Sequence, residues 1–524
     1  MDPRRLPRPR AVLLAVLVLL ACAARAAEPG KDLPQTPGAF LAAGVTLFCR
    51  ETVAPLDADS FALDLARELV GRVPRLLIRA IDGRPALVDD LEPDRPLPLT
   101  ADVADRPDAL AAFADGVASR RPGLDAVGAY REALSAVVRR VDPYASVEPV
   151  RVYDEQISRL EKRTVGIGIA WNPTPEGALV VEVVARSPAA RAGLRPGDRI
   201  VAVDGASLAG REAESIHSLL GGPEGSRASL TVRGTTGRDR AVRVTRKDVA
   251  FPAVHAEMLA GGVLLLRVSN FTEAAPGEMR EALCRHAPPF GRSAGVILDL
   301  RGNTGGHLTG AYDLANLFVP TGFLFRGVAS DGREAVRADA DRGTWNRMPL
   351  VVLVDGLTMS AAEILAAALA DADRALIVGG RTGGKGVAQR EINLPLGQAL
   401  YVSILRIETA SRRTLQGYGL WPHVEVAGGT GAAASEGSGR QPYLWLDAAR
   451  AHPGPRIAIP AAEVEAETGT SDAPLAVAQA ALAAWNADRS LTLLQAARWA
   501  YPDAKAEEEG TEAGKHRGPD SKMR

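Results

Sequence analysis

The stretch LVVLVDGLTMSAAEILAAALADADRALIVGG, residues 350–380, decides the fold. Its first five residues are apolar and predict a strand, Leu350–Val354. The next apolar residues recur at helical spacing over Ser360–Ala370, and Ala375–Val378 is a second apolar run. Strand, helix and strand in this order predict an α/β sheet domain.

The same alternation extends to both sides of that stretch. Strands are predicted over Val263–Val268 and Ala294–Leu300, with helices near Gly277–Cys284 and over Leu308–Phe318. We therefore assign residues 251–426 to one α/β core.

The rest of the chain differs from this core in pattern. We predict, in chain order, an export signal (1–26), a helical N-terminal region (31–160), a unit of short strands with Gly/Pro turns (165–247), a Gly/Ala/Ser linker (427–440), a C-terminal helical region (441–502) and a disordered charged tail (503–524). Within the first helical region, Leu124–Val141 has helical spacing and ends at Asp142-Pro143. The fold class is thus α/β and multidomain.

Charge and cysteine content exclude several classes of protein. The 524 residues hold 62 Lys and Arg against 63 Asp and Glu, so the net charge of −1 offers no footprint for wrapping nucleic acid. Cys22, Cys49 and Cys284 are too few for a disulfide scaffold, a cysteine-built zinc ribbon or an iron–sulfur centre. Cys49 and Cys284 could still pair in an oxidising compartment.

The N-terminus has the features of an export signal. Four arginines precede the apolar run Ala11–Ala21, which is shorter than the ~20 residues of a spanning helix. Ala24-Arg25-Ala26 fits a cleavage site. Alternatively, Leu19–Cys22 is a lipoprotein box and Cys22 carries a lipid anchor. We expect an exported protein of the bacterial periplasm or cell envelope, anchored or freely soluble.

Three loops of the α/β core carry polar groups suited to chemistry. The glycines of Arg301–Gly306 expose backbone N–H groups that can donate to an anion. Thr358–Glu363 places the Ser360 hydroxyl at a helix N-terminus, although Ser360 and Glu363 alone also fit a helix capping box. The third loop, Gly379–Gln389, contains a glycine-flanked lysine, Lys385.

Several familiar sites do not fit these loops. Gly379–Lys385 has most of a P-loop, but Gly386 follows where a P-loop needs Ser or Thr. No histidine lies in a G-x-S-x-G elbow, and no zinc-binding motif is present, so neither a nucleotide nor a metal cofactor is expected. His307, directly after the glycine loop, is kept as an alternative base.

A serine–lysine pair is the arrangement that remains. Lysine acts as a general base only when it is neutral, which requires burial to depress its pKa. Gln389 follows Lys385 by four residues, and on an extended segment the two side chains share one face. The Gln389 oxygen could therefore orient the amine of Lys385, as in other nucleophile–base–orienter sites.

Together these segments resemble the C-terminal processing, or tail-specific, serine peptidases, which carry a PDZ domain before the catalytic core. The resemblance extends over about 125–426 and is carried by Asp142–Tyr144, Val165–Ile169, Ala192–Asp198, Arg301–Gly306, Thr358–Glu363, Gly384–Gln389 and Ser411–Val424. It implies Ser360 as nucleophile, Lys385 as general base and Gln389 as its orienter. It further implies a crotonase-like ββα core and a PDZ domain built as a small β-sandwich or barrel with two helices.

The resemblance also implies how substrate is held. Backbone N–H groups of Ala361 and of Gly305 or Gly306 would stabilise the oxyanion. A peptide with an apolar C-terminus would add as a strand between Ile167–Trp171 and helix Glu212–Leu220. The residues expected to bind its carboxylate are Gly166, Ile167, Gly168 and Ile169. Gly221 stands where many relatives have arginine, which leaves coupling of this domain to the active site open.

A second function remains open on the same fold. A non-catalytic PDZ protein that binds peptides or other ligands would also show the sheet pattern and the groove. Such a protein would have no need of Ser360, Lys385 and Gln389 together.

Overall fold

The computed structural model describes residues 33–100, 105–286, 294–341, 348–427, 457–488 and 491–501. The predicted signal with Cys22, the linker beyond Ala427 and the predicted tail lie outside these ranges. The chain divides into two compact units, a smaller one of residues 154–255 and 270–279 and a larger one of the rest. Within the described ranges, no helix is long and apolar enough to cross a membrane.

The N-terminal part of the larger unit combines helices with a small antiparallel sheet. Its elements are α1 (Pro37–Glu51), α2 (Ala58–Arg72), β1 (Leu76–Ile81), β2 (Arg84–Asp89), β3 (Leu97–Pro98), α3 (Pro107–Ser119), α4 (Ala126–Val141), β4 (Ser146–Pro149) and α5 (Val150–Leu160), which continues into the smaller unit. Helix α4 lies where Leu124–Val141 was predicted, and its Tyr130 and Leu134 are buried in the core. The sheet, in the order β1-β2-β3, was not predicted.

The smaller unit contains an antiparallel sheet with helices packed on it. Its elements are β5 (Arg163–Gly166), β6 (Ile169–Thr174), β7 (Gly177–Val183), α6 (Pro188–Arg191), β8 (Arg199–Val203), β9 (Ala206–Ser207), α7 (Ala213–Leu220), β10 (Arg227–Arg233), β11 (Asp239–Thr245) and β12 (Lys247–Ala250). The strand order β11-β10-β8-β7-β6 leaves β6 at an edge. The motif segment Val165–Ile169 spans two strands, because Gly168 adopts a φ of +79° and lies between β5 and β6.

The α/β core is built on a parallel sheet. Its elements are β13 (Val254–Met258), β14 (Val263–Val268), α8 (Ala275–His286), β15 (Gly295–Asp299), α9 (Leu308–Asn316), β16 (Gly322–Val328), β17 (Glu334–Ala340), β18 (Leu350–Val354), α10 (Ala361–Asp371), β19 (Leu376–Gly379), β20 (Val387–Leu394), β21 (Gln398–Thr409) and β22 (Val424–Ala427). Strands β14, β15, β18, β19 and β22 pair in parallel in that order. The predicted α/β class is confirmed.

A second, antiparallel sheet carries the lysine–glutamine segment. Its order is β17-β16-β21-β20, and β4 also pairs with β21. Residues of β20 and β21, among them Ile392 and Leu400, are buried in one core with α1 and α4. The helices of the N-terminal region therefore support the strand on which Gln389 lies.

The C-terminal region adds a strand and helices to the parallel sheet. Its elements are β23 (Ile457–Pro460), α11 (Ala461–Thr468), α12 (Ala473–Ala487) and α13 (Leu493–Ala500). Strand β23 pairs in parallel with β22 and was not predicted. Cys49 and Cys284 are both free, so the disulfide considered for them is not formed.

Candidate active site

Ser360 lies at the turn that joins strand β18 to helix α10. It is the N-cap residue of α10, and its φ of +55° and ψ of −123° are unusual for a residue with a side chain. Such a backbone costs roughly 1–3 kcal/mol and persists only where the surrounding structure holds it. A strained turn from strand to helix is also how nucleophilic serines are presented in other hydrolases.

The amine of Lys385 is held by Gln389, as the four-residue spacing predicted. Lys385 Nζ donates to Gln389 Oε1 over 2.6 Å. Burial lowers the pKa of Lys385, while the nearby carboxylates of Asp142 and Glu363 act in the opposite direction. The direction of this shift favours the neutral amine that a general base requires.

Tyr144 contacts both members of this pair. Gln389 Nε2 donates to the Tyr144 carbonyl over 2.7 Å, and the Tyr144 ring centroid lies 5.0 Å from Lys385 Nζ. The carboxylate of Asp142 accepts the N–H groups of Tyr144, at 3.1 Å, and of Ser403, at 2.9 Å. Asp142–Tyr144 is one of the motifs that carry the family resemblance, and no role was predicted for it.

Glu363 connects the serine turn to the lysine loop. Its carboxylate is fully buried and accepts the backbone N–H groups of Ser360 at 2.9 Å, Gly384 at 2.7 Å and Lys385 at 2.8 Å. The hydroxyl of Thr382 is the fourth donor to this carboxylate. Its oxygen accepts the Leu420 N–H, so its own hydrogen is left to bond to Glu363. Burial raises the pKa of Glu363, and these hydrogen bonds oppose the rise. The predicted contact between Glu363 and the Ser360 N–H is present, but Glu363 does more than cap a helix.

The glycine loop packs directly against the serine. A Cβ atom on Gly305 would lie 2.7 Å from the Ser360 Cβ, so this close approach requires glycine. The Gly305 N–H donates to Asn303 Oδ1 over 2.9 Å and is therefore engaged within the loop. Three N–H groups were predicted to stabilise an oxyanion, and those of Gly306 and Ala361 remain the candidate donors.

An ion pair fastens this loop to the C-terminal region. The Arg301 guanidinium binds Asp299 and also Asp472, with Nη1 2.6 Å from Asp472 Oδ1. Both carboxylates raise the pKa of Arg301 despite its burial. Asp472 is in addition the N-cap of α12, where it accepts the Leu475 N–H. The two residues are 171 positions apart, and no local pattern in the sequence indicates their contact.

Comparison with known proteins shows the family of this chain. Residues 262–426 match peptidase family S41, and residues 179–234 match the PDZ domain. A carboxyl-terminal-processing protease of Picosynechococcus sp. is 32% identical over 289 residues, which cover 54% of this chain and 69% of that protein. The chain belongs to the carboxyl-terminal-processing proteases of family S41.

This chain matches two further relatives over a smaller share of their own length. A carboxyl-terminal-processing protease of Synechocystis sp. is 33% identical over 264 residues, which cover 49% of this chain and 61% of that protein. The carboxy-terminal processing protease CtpA of Bacillus subtilis is 29% identical over 290 residues, covering 54% and 61% respectively. The resemblance recognised in the sequence is thus confirmed at the level of the family.

His307, the alternative base, lies at the start of a helix. It is the N-cap residue of α9, directly after Gly306. Gln389 and the ring of Tyr144 both contact the amine of Lys385. Within the described ranges, no group of three or more His, Cys, Asp or Glu side chains could hold a metal ion.

The smaller unit contains a groove where the S41 resemblance predicts one. A cavity of about 600 Å³ lies beside edge strand β6 and helix α7. Its lining residues are Thr164, Ile169, Ala170, Trp171, Pro173, Ala213, Glu214, His217 and Phe251. Of the residues predicted to bind a terminal carboxylate, Gly166 ends β5, Ile167 and Gly168 form the turn, and Ile169 begins β6. The predicted groove and turn therefore adjoin one another.

An arginine from elsewhere in the chain contacts the end of α7, next to Gly221. The guanidinium of Arg246 is buried and donates to the carbonyls of Leu219 at 2.8 Å and Leu220 at 3.1 Å. These are carbonyls at the C-terminal end of the helix, where a cation also complements the helix dipole. Arg246 thus stabilises the end of α7 from within the smaller unit.

Proposed function

We propose that this chain is a serine endopeptidase that cleaves exported proteins near their C-termini. The observation that carries the proposal is the amine of Lys385, partly buried and held at 2.6 Å by Gln389. Its loop is tied through the Glu363 carboxylate to the backbone of Ser360. A protein that only binds ligands on this fold would have no use for a lysine held by Gln389 with its pKa lowered by burial.

The reaction follows from the roles of these groups. Neutral Lys385 accepts the proton of the Ser360 hydroxyl while Ser360 Oγ attacks the scissile carbonyl. The resulting ammonium gives that proton to the leaving amine, and an acyl-enzyme forms. Lys385 then activates a water that releases the product. Backbone N–H groups of Gly306 and Ala361 stabilise the oxyanion, a contribution of roughly 3 kcal/mol per donor.

Substrate capture is proposed for the smaller unit. Strand β6 lies at the edge of its sheet, so an extended peptide can add to it by backbone hydrogen bonds. The N–H groups of Gly166–Ile169 would hold the terminal carboxylate, and the apolar wall of Ile169, Trp171 and Phe251 suits an apolar terminus. The segment 1–26 supports a location in the bacterial periplasm or cell envelope, with Cys22 as a possible lipid anchor.

The proposal is tested with an unstructured protein substrate that ends in apolar residues. We expect cleavage near its C-terminus, and we expect a fluorophosphonate reagent to block cleavage and to label Ser360, located by mass spectrometry. His307→Ala should leave both results unchanged, because the contacts that orient a base are made to Lys385. Absence of cleavage would favour the non-catalytic binding protein, and cleavage blocked by label on another residue would overturn Ser360 as the nucleophile.

The groove gives a separate prediction about recognition. Trp171 lines the cavity, and its replacement by alanine should weaken binding of a peptide with an apolar C-terminus about tenfold or more, through lost apolar contact. Binding is measured by fluorescence anisotropy on a Ser360→Ala background, so that no peptide is cut. Val181→Ala is the matched control, since Val181 is an exposed apolar residue on the neighbouring strand β7. Equal binding by both variants would show that the groove has no part in recognition.

A further inference from the structure

The turn after helix α4 places one residue, Tyr144, against the base. Its carbonyl accepts Gln389 Nε2 at 2.7 Å, and its ring faces Lys385 Nζ with 5.0 Å between the nitrogen and the ring centroid. Tyr144 is 245 residues from Gln389 along the chain and lies outside the residues that match family S41.

The backbone of this turn is fixed at both ends. Asp142 is the C-cap residue of α4 and is only 3% exposed. Its carboxylate joins the Tyr144 N–H to the Ser403 N–H on strand β21, which pairs with β20. Helix α4 and the strand pair that carries Gln389 therefore determine together where the Tyr144 ring lies.

We infer that Tyr144 is a positioning residue for the general base. Its carbonyl fixes the orienting amide of Gln389, while its ring covers the Lys385 amine and stabilises the ammonium that forms when Ser360 loses its proton. This inference rests on the role proposed for Lys385. It adds a fourth residue to the site, supplied by the N-terminal region.

The charged groups around Lys385 set the sign of the expected effects. Asp142 and Glu363 favour the ammonium, as does the negative face of the Tyr144 ring, whereas burial favours the neutral amine. Burial prevails, so the pKa of Lys385 lies below its usual value. Because the neutral amine is the active form, the rate should rise with pH through this pKa.

Variants at position 144 distinguish the electrostatic effect of the aromatic ring from its exclusion of water. Tyr144→Leu keeps an apolar cover but removes the ring, so the midpoint of the pH–rate profile should move to lower pH. The rate at high pH should also fall about five- to tenfold, because the ammonium of the transition state loses a favourable contact. Tyr144→Ala admits water, which solvates the ammonium and should move the midpoint to higher pH. Tyr144→Phe keeps the ring and should leave the midpoint in place.

The readout is the rate constant for inactivation by a fluorophosphonate between pH 6 and 10, which depends on neither peptide capture nor product release.

Phenylalanines with increasing ring fluorination at position 144 serve as a series that keeps the shape of the side chain. They weaken the negative ring face stepwise, and the midpoint should fall with each step. Thermal unfolding of each variant identifies any that fail to fold.

The outcomes separate this inference from the proposed function. If Ser360→Ala still cleaves substrate, the proposed function fails, whatever position 144 does. If cleavage needs Ser360 but the midpoints of the leucine variant and the fluorinated series equal that of the parent, the function stands and the inference about Tyr144 is overturned. Midpoints in the order leucine, then parent and phenylalanine, then alanine support it.

Discussion

Replacing Ser360 by alanine or Lys385 by methionine is expected to lower kcat for peptide cleavage by about 10⁴-fold or more. The alanine variant has no nucleophile, and the methionine variant keeps the side-chain volume but has no group to accept the serine proton. Since the two side chains act as one unit, the double variant should be no slower than either single variant. The measurement is kcat on an unstructured substrate above pH 8, with folding checked by thermal unfolding.

Lys162→Met is the matched control for this prediction. Lys162 is also a half-buried lysine whose pKa is lowered by burial, and its Nζ donates to the Pro252 carbonyl at 3.0 Å. It belongs to the smaller unit, whereas Ser360 and Gln389 belong to the larger one. Its replacement should leave kcat within about twofold of the parent. If the effects of the Ser360 and Lys385 substitutions on kcat multiplied in the double variant, the two residues would instead act independently.

Elements with strong, local patterns could be predicted from the sequence. The strands Val263–Val268 and Leu350–Val354 lie where the apolar runs placed them, since runs of this kind fit a buried strand of an α/β sheet. The contact of Lys385 with Gln389 was predicted for a similar reason, because both residues belong to one short segment. Their catalytic roles remain predictions.

The hairpin of β1 and β2 was not predicted, although the sequence contains a local signal for it. Strands β1 and β2 are joined by Asp82 and Gly83, with φ values of +51° and +76°. An Asp-Gly pair between apolar runs is a strong indication of a hairpin. Helices lie on both sides of this segment, and the prediction of a helical region over 31–160 left no place for the hairpin between them.

Contacts between distant segments could not be predicted in this way. The carbonyl of Tyr144 binds Gln389, and Asp472 binds Arg301, across 245 and 171 residues. Periodicity reports which face of an element is buried, but not which residue of another element lies against it. The same limit applies to Glu363, whose spacing from Ser360 indicated a helix cap and gave no sign of the lysine loop.

Glu363→Gln is expected to disable the site without removing any group that reacts. The carboxylate has two oxygens, and each accepts two of its four donors. An amide offers one oxygen, so its NH₂ would face two donors, either at Thr382 and Gly384 or at Ser360 and Lys385. Leaving such buried donors unpaired costs about 2–4 kcal/mol in the free energy of unfolding. The shift of the serine turn relative to the lysine loop should lower kcat about 10²-fold.

Two comparisons decide whether this network positions the site or only stabilises the fold. Glu465→Gln makes the same change at an exposed residue of α11 and should alter neither the free energy of unfolding nor kcat. Thr382→Val removes one of the four donors and leaves the carboxylate, so it should destabilise the fold while retaining more activity than Glu363→Gln. If denaturant unfolding shows equal losses of stability in Glu363→Gln and Thr382→Val, kcat should still be lower in Glu363→Gln. Only the glutamine amide of that variant separates the Ser360 turn from the Lys385 loop. Equal kcat values at equal stability would contradict a positioning role for Glu363.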